Sequence, residues 1–445
     1  MNWNQAFTAF ALIGLLAAQG CGNKGVMTAP TAQAAPIYAA PTGNKNAPRF
    51  VNRLVVKFKS GSSASTIRSF QQRFALSAVR EVSALGVGVM GLPAGKDASS
   101  VIKSIQGHPA IEYVEPDYIF TVPKRAVKTA AKTAAKPAAK TATRKVAAVG
   151  AFNDALIDRQ WGLTKIGMPR TWQHNTGAAQ VVVAVIDTGV DTRHPDLAAN
   201  LVQGASVLPG ATGPDDDHGH GTHVAGVIAA LGHNGLGIAG VAPRCKIMPV
   251  KVLNREGKGD TGDIVAGLLY AVNNGAKVVN MSLGGTGGSR ALKDAIEYAL
   301  SKDVVVVAAM GNEGANAQEY PAGYPGVIAV GATDSSDEIA SFSNFGSWIS
   351  VAAPGEDILS TLPTREVYVT ATEGKDTGYD VMDGTSMASP FVAGLAALIR
   401  SQYPTMPAAA VKTRIERSAD DLGDPGFDEQ FGHGRINAAR AILGQ

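Results

Sequence analysis

The chain has 445 residues, more than one hydrophobic core of about 250–300 residues can serve, so at least two folded units are expected. Its 45% hydrophobic, 17% charged and 6% aromatic residues exclude a wholly disordered, collagenous or coiled-coil chain, and 2 Cys exclude a disulfide-stapled scaffold. The net charge of +3 hides a division: residues 1–150 carry 19 Lys/Arg against 5 Asp/Glu, while residues 151–445 carry 21 against 32, so the larger part is acidic and no nucleic-acid partner is expected.

Residues 1–20 contain one apolar run, Phe7 to Ala18, too short to span a bilayer but of the length of a signal-peptide core. Export to the outside or to the cell envelope is therefore expected. Ala18-Gln19-Gly20-Cys21 resembles a bacterial lipoprotein processing site, although Ala18 stands where Leu is favoured. Lipidation of Cys21, which would give the only membrane attachment, and plain cleavage near Gly20 both stay open. Residues 21–49, rich in Ala, Pro, Thr and Asn, read as a disordered tether.

Residues 50–121 read as a compact unit. Arg53–Lys59 alternates as a strand, Ser65–Phe74 has helical spacing at Ile67, Phe70 and Phe74, and Val87–Leu92 alternates again. Ala98–Ile105 reads as a second helix and Ile111–Phe120 as a last strand. The order β-α-β-(β)-α-β is that of a small ferredoxin-like α+β sandwich. Residues 122–150 then hold Lys124–Lys145, with 8 Lys/Arg, no acid and a repeated Ala-Ala-Lys. The tract resembles a histone tail, but between two folded units it reads as a solvated, self-repelling linker.

From about 151 to 445 the pattern becomes apolar strands alternating with helices: VVVAVID, KIMPVKVL, KVVNMSLG, VVVVAAMG and VIAVGA, with helical stretches such as Gly262–Asn273 and Ala291–Leu300 between them. Near-continuous apolar strands joined by helices predict an α/β domain whose parallel sheet is covered on both faces. In such sheets the chemistry sits beyond the carboxyl ends of the strands. There, Asp187 ends VVVAVID, His220 opens a helix with HGTHVAG, and Ser386 opens another with GTSMASP. An acid, a histidine and a serine at element ends are what nucleophilic acyl transfer requires. A serine hydroxyl attacks only when histidine takes its proton, and the acid holds the histidine in the right tautomer.

With VIDTGVD, HGTHVAG, NMSLGG, AAMGNEG and GTSMASP in this order, residues 151–445 resemble the subtilase family of serine proteases, in its thermitase-like branch. The resemblance implies a subtilisin-like sheet and a secreted serine endopeptidase acting on proteins and peptides. Residues 50–121 would then be an inhibitory propeptide of a self-processing zymogen; a monomer is expected. Carried over residue by residue, Asp187 orients, His220 is base and then acid, and Ser386 attacks. Asn312 would complete the oxyanion hole with the backbone N–H of Ser386. His218, also followed by glycine, is the weaker candidate for the base. Gly257-x-Gly259-x-x-Gly262 mimics a dinucleotide fingerprint, but no acid ends the next strand. The resemblance instead makes Gly257 and Gly259 one edge of the substrate cleft, and Ser282, Leu283 and Gly284 the other.

The resemblance also implies structural Ca²⁺, held by Asp154, Asp196 and Asn234 through side chains and by Leu231, Leu236 and Ile238 through carbonyls. Such an all-oxygen shell suits calcium. Asp215–Asp217 reads as a solvated acidic loop, with a second cation site as the alternative, and Cys245 as an inert buried thiol. By the same resemblance, Glu319 precedes the Tyr320-Pro321 pair that would mark the return of the wall around the specificity pocket. With Gly284, Ala309 and Met310 around it, the expectation is cleavage after large apolar residues, tolerance of Lys and Arg, and rejection of Asp and Glu. The alternative is that Glu319 faces solvent and has no effect.

Overall fold

A computed structural model describes residues 37–39, 48–123 and 152–444 of the chain. The expected signal peptide, Cys21 and the Lys-rich tract lie outside the described residues.

The N-terminal unit contains strands β1 (Ile37–Ala39) and β2 (Arg49–Phe58), helix α1 (Ala64–Phe74), strands β3 (Ser77–Val82) and β4 (Val87–Gly91), helix α2 (Ala98–Ile105) and strand β5 (Ile111–Thr121). Its antiparallel sheet runs β3-β4-β2-β5, the ferredoxin-like order. One expectation is corrected here and one is completed. The segment read as a tether contains β1, which pairs with Arg49–Val51 of β2. The further strand allowed between the two helices is β3, whose sequence SAVREV has only Val82 buried and so lacks an apolar alternation. Each helix is closed at its start by a side chain: Ser63 Oγ accepts from Thr66 N and Asp97 Oδ1 from Ser100 N.

The sheet is buried on both faces, and alternation decides which residue goes where. Leu54, Val56 and Phe58 face α1 and α2 in a core of their own, with Phe70 and Ile105. Val55, Val82, Val87 and Tyr113 point the other way, into the larger domain's hydrophobic cluster.

The larger domain begins with two short helices, α3 (Trp161–Lys165) and α4 (Met168–Thr171), and continues with β6 (Val182–Asp187), β7 (Ala205–Ser206), α5 (His220–Ala229), β8 (Lys246–Lys251), β9 (Lys258–Asp260) and α6 (Thr261–Asn273). Then follow β10 (Val278–Met281), α7 (Arg290–Ser301), β11 (Val305–Ala309), β12 (Ile328–Thr333), β13 (Val351–Pro354), β14 (Ile358–Thr361), α8 (Tyr368–Thr372) and β15 (Tyr379–Met382). Helices α9 (Thr385–Gln402), α10 (Ala408–Arg417) and α11 (Ala438–Leu443) close the chain.

Seven parallel strands form one sheet in the order β13-β12-β11-β10-β6-β8-β7. The long apolar α9 crosses β10 to β13 on one face, and α6 and α7 cover the other. Strands β8, β10, β11, β12 and β13 are apolar because both their faces are covered. Glycine permits a close approach: a Cβ on Gly221, in the first turn of α5, would lie 2.1 Å from the Gly189 carbonyl and 3.2 Å from Asp187 Cβ. That contact seats α5 on the end of β6.

Candidate active site

Asp187 ends β6, His220 opens α5 and Ser386 lies in the first turn of α9, all at the carboxyl edge of the sheet. His220 Nδ1 lies 2.8 and 3.0 Å from the two Asp187 oxygens, with both side chains essentially unexposed. Nδ1 donates there, which leaves the Nε2 lone pair free, and among the described residues the buried Nε2 has no partner. Ser386 Oγ donates instead to the Ser282 carbonyl at 3.3 Å. His218 stacks on Tyr368 at 5.2 Å and accepts the His220 N–H at Nδ1. Burial, and then the neighbouring His220, push His218 down to about 4, so it is neutral at pH 7.

Asp216 corrects the expectation of a solvated acidic loop. It is fully buried, and its carboxylate accepts from Thr188 Oγ1, Thr222 N, Thr222 Oγ1, His218 N and Gly219 N at 2.6–3.0 Å. Burial opposes its ionisation, but the Thr222 and Gly219 bonds hold it below the usual carboxylate range. Asp216 therefore anchors the turn that presents His220. Its neighbours Asp215 and Asp217 are half exposed and pair with Arg365 and Lys251.

Asn312 follows β11. Its Oδ1 accepts from Thr385 N and Thr385 Oγ1, both at 2.9 Å, which turns Nδ2 outward onto the Pro123 carbonyl at 2.9 Å. Gly384 has φ +150°, and a Cβ there would lie 3.1 Å from Asn312 Nδ2 and 3.5 Å from Ser386 N. The two nitrogens thus flank one small space that only glycine leaves open.

Both expected cleft edges carry chain. β9 pairs antiparallel with β5, Phe120 opposite Gly259, and Val122 N–H donates to the Gly257 carbonyl at 2.9 Å. On the other side Thr121 and Gly284 exchange two hydrogen bonds at 2.9 Å. Gly262, last of the supposed fingerprint, faces the N-terminal unit, and a Cβ on it would meet Val89 at 2.5 Å. Ser282 turns its hydroxyl inward to Ser386 O and Ser389 Oγ, both at 2.8 Å, and Leu283 is fully buried in the cluster that contains Phe120.

Glu319 is 8% exposed, so it does not face solvent. It sits against Gly284 and Gly311, where Cβ atoms would lie 2.2 Å from its Oε2 and 3.0 Å from its Cδ. Burial, and then the Glu313 carboxylate beside it, push Glu319 up to about 8. Glu313 is itself held by Asn344 Nδ2 at 2.6 Å, while Ala309 and Met310 are fully buried.

The expected calcium residues gather around loop 231–238. Asp154 accepts from His233 N and Asn234 N, and Asp196 from Ile238 N, Tyr379 OH and Asn234 Nδ2, at 2.7–3.1 Å. Asn234 Oδ1 accepts from Leu236 N at 2.8 Å. Asp154 and Asp196 are 3% and 0% exposed, and among the described residues neither forms an ion pair with Lys or Arg. No group of three or more His, Cys, Asp or Glu able to hold a metal occurs among the described residues. Cys245 is buried, which pushes its thiol up.

The N-terminal unit covers this face through charge as well as apolar surface. Arg53 Nε lies 3.1 Å from the fully buried Asp117, and its guanidinium also reaches Asp260, the N-cap of α6. Arg80 pairs with Asp263 at 2.6 Å. Glu115 caps α7, accepting from Ser289 Oγ, Arg290 N and Ala291 N at 2.6–3.1 Å. Sequence reasoning missed Asp216, Thr385 and Pro123. Thr385 lay inside a recognised motif and could have been found there; the others had no local signal.

Comparison with known proteins gives a match to the profile of the subtilase family over residues 178–434 and to the fervidolysin N-terminal prodomain over residues 37–117. The thermophilic serine proteinase of Bacillus sp. (strain AK1) is 38% identical over 347 residues, 78% of this chain and 76% of that protein. Thermitase of Thermoactinomyces vulgaris is 42% identical over 284 residues, 64% of this chain and 96% of that protein. The crystal structure of fervidolysin from Fervidobacterium pennivorans, a keratinolytic enzyme related to subtilisin, matches 92% of this chain with a TM-score of 0.76 at 30% identity. This chain spans 62% of fervidolysin's length.

Proposed function

The chain belongs to the subtilase family and is a serine endopeptidase with a prodomain, and from that premise we propose that Ser386, His220 and Asp187 cleave polypeptides through an acyl-enzyme. The observation that carries the reading is the Asp187–His220 Nδ1 pair, with Asn312 Nδ2 already donating to a peptide carbonyl at 2.9 Å. With Nδ1–H held by Asp187, His220 Nε2 takes the Ser386 proton once the hydroxyl leaves the Ser282 carbonyl. Ser386 Oγ then attacks, Asn312 Nδ2 and Ser386 N–H stabilise the oxyanion, and His220 protonates the leaving amine. Water repeats the sequence on the ester.

Substrate lies extended between Gly257–Gly259 and Ser282–Gly284, as an added strand read through its backbone. Glu319 lines the pocket for the residue before the cut. Residues 50–121, with the strand at 37–39, act as the intramolecular inhibitor, and 122–150 as the linker to a monomeric peptidase domain. The run Phe7–Ala18 directs secretion, with Cys21 as the site of any lipid anchor. Among the described residues no helix is long and apolar enough to cross a membrane.

Two buried carboxylates with no ion pair among the described residues, Asp154 and Asp196, are chemically suited to a hard cation. Together with Asn234 and the carbonyls of Leu231, Leu236 and Ile238 they would hold Ca²⁺. The ion would neutralise the two acids and tie the start of the peptidase domain to loop 231–238.

The test is Ser386→Ala in the full chain, refolded from denaturant. Wild type is expected to separate its prodomain and then digest casein, and the variant to do neither. Unaided prodomain separation by purified Ser386→Ala would refute the assignment.

A further inference from the structure

The end of β5 lies in the cleft with its register held at several points. Thr121 and Gly284 exchange both backbone hydrogen bonds at 2.9 Å, Val122 N–H donates to Gly257 O at 2.9 Å, and Asn312 Nδ2 donates to Pro123 O at 2.9 Å. Upstream, Phe120 is fully buried in the peptidase domain's hydrophobic cluster. A one-residue slip would turn Phe120 out of that cluster and exchange the faces of its neighbours, so the alignment is strongly specified. The carbonyl resting on the oxyanion donor is the one a nucleophile attacks.

We propose that maturation cuts the peptide bond that follows Pro123, and that this proline slows the cut. The proposal rests on the endopeptidase reading above. Ser386 Oγ gives its proton to His220 Nε2 and bonds to the Pro123 carbonyl carbon. The C–N bond to residue 124 breaks, and its nitrogen takes the proton from His220. Water then hydrolyses the ester, which leaves a Pro123 carboxylate and restores Ser386.

The brake follows from the pairing. Thr121 opposes Gly284 in an antiparallel register, so residue 123 opposes Ser282, and its N–H would point to the Ser282 carbonyl. Proline has no N–H to give. Ser386 Oγ takes that acceptor instead, at 3.3 Å, while His220 Nε2 has no partner among the described residues. The nucleophile is thereby parked away from its base. The cut leaves the Lys-rich tract on the peptidase domain. Loop 231–238 needs no cut to close, since Asp154 is already bonded to it while Pro123 occupies the cleft.

Full-length chain is refolded from denaturant and the first fragments are weighed by mass spectrometry over time. The expected pair is a prodomain ending at Pro123 and a partner beginning at residue 124. Pro123→Leu and Pro123→Ala are expected to be cut at the same bond about tenfold faster, the effect of one restored hydrogen bond. A first cut at another bond, or no acceleration in either variant, overturns the proposal and leaves the endopeptidase reading standing. Fragments from Ser386→Ala would overturn that reading itself.

Discussion

Glu319 should make the preference for the residue before the cut depend on pH. Its carboxyl lies between Gly284 and Gly311 with Glu313 alongside, and burial together with that neighbour raises it to about 8 while the prodomain tail fills the cleft. When the tail leaves, water enters and lowers the midpoint, while Glu313 alongside keeps it above the ordinary carboxylate range. The sign follows from the raised value: the acid is neutral at low pH and ionises as pH rises through its midpoint. Neutral Glu319 accommodates an apolar side chain, whereas ionised Glu319 pairs with Lys or Arg. A hydrogen bond to a charged group is worth about 1.5–3 kcal/mol net, so the Lys-to-Phe ratio of kcat/KM should climb by about 10- to 100-fold across the titration. Peptides differing only at that position are assayed from pH 5 to 9, and the ratio cancels every pH effect common to both. Glu319→Gln should give a flat, low ratio. A ratio that is pH-independent in wild type, or equally pH-dependent in Glu319→Gln, refutes the reasoning.

Asn312→Ala should fold, keep its KM and lose about 10²–10³ in kcat, the usual effect of removing one oxyanion donor; steady-state kinetics on a chromogenic peptide reads it. Chelation of calcium should lower the Tm of the wild-type protein by scanning calorimetry, because a ligand bound only by the folded state stabilises it, and Asp196→Ala should remove that dependence. Arg53→Ala strands the buried Asp117 and part of Asp260, and breaking one side of a buried pair costs about 3–5 kcal/mol. The self-cleaved prodomain should then elute apart from the peptidase domain in size-exclusion chromatography. The wild-type complex should itself loosen with rising pH. Asp263, raised to about 7 by burial and then by Asp260 against the pull of Arg80 and Arg53, holds its proton in the complex below that value, and its loss sets a second carboxylate charge beside Asp260 as pH passes it.

Much of this protein was legible in the chain alone, because its chemistry sits in short segments at element ends. A continuous apolar run such as VVVVAA reports a strand covered on both faces, whatever covers it. Asp187, His220, Ser386 and Asn312 each follow a strand or open a helix, so the motif and its position are the same information. Gly384 and Gly221 belong with them, since the need for a missing Cβ is written in the residue itself.

The tertiary structure decided what depends on segments far apart in the chain. SAVREV is a strand only because β4 supplies its hydrogen bonds, and its polar sequence carries no period to announce it. Asp216 lay in a run of three acids and looked solvated; it is buried because five donors from Thr188 and residues 218–222 close around it. Glu319 could be placed near a pocket, but its proton affinity is set by Gly284, Gly311 and Glu313, brought together from two loops. Pro123 is an ordinary linker residue until the antiparallel pairing of Thr121 with Gly284 lays the Pro123 carbonyl on Asn312. Local sequence sets the period, the cap and the turn, whereas the field and the partners at an atom are set by whatever the fold packs against it.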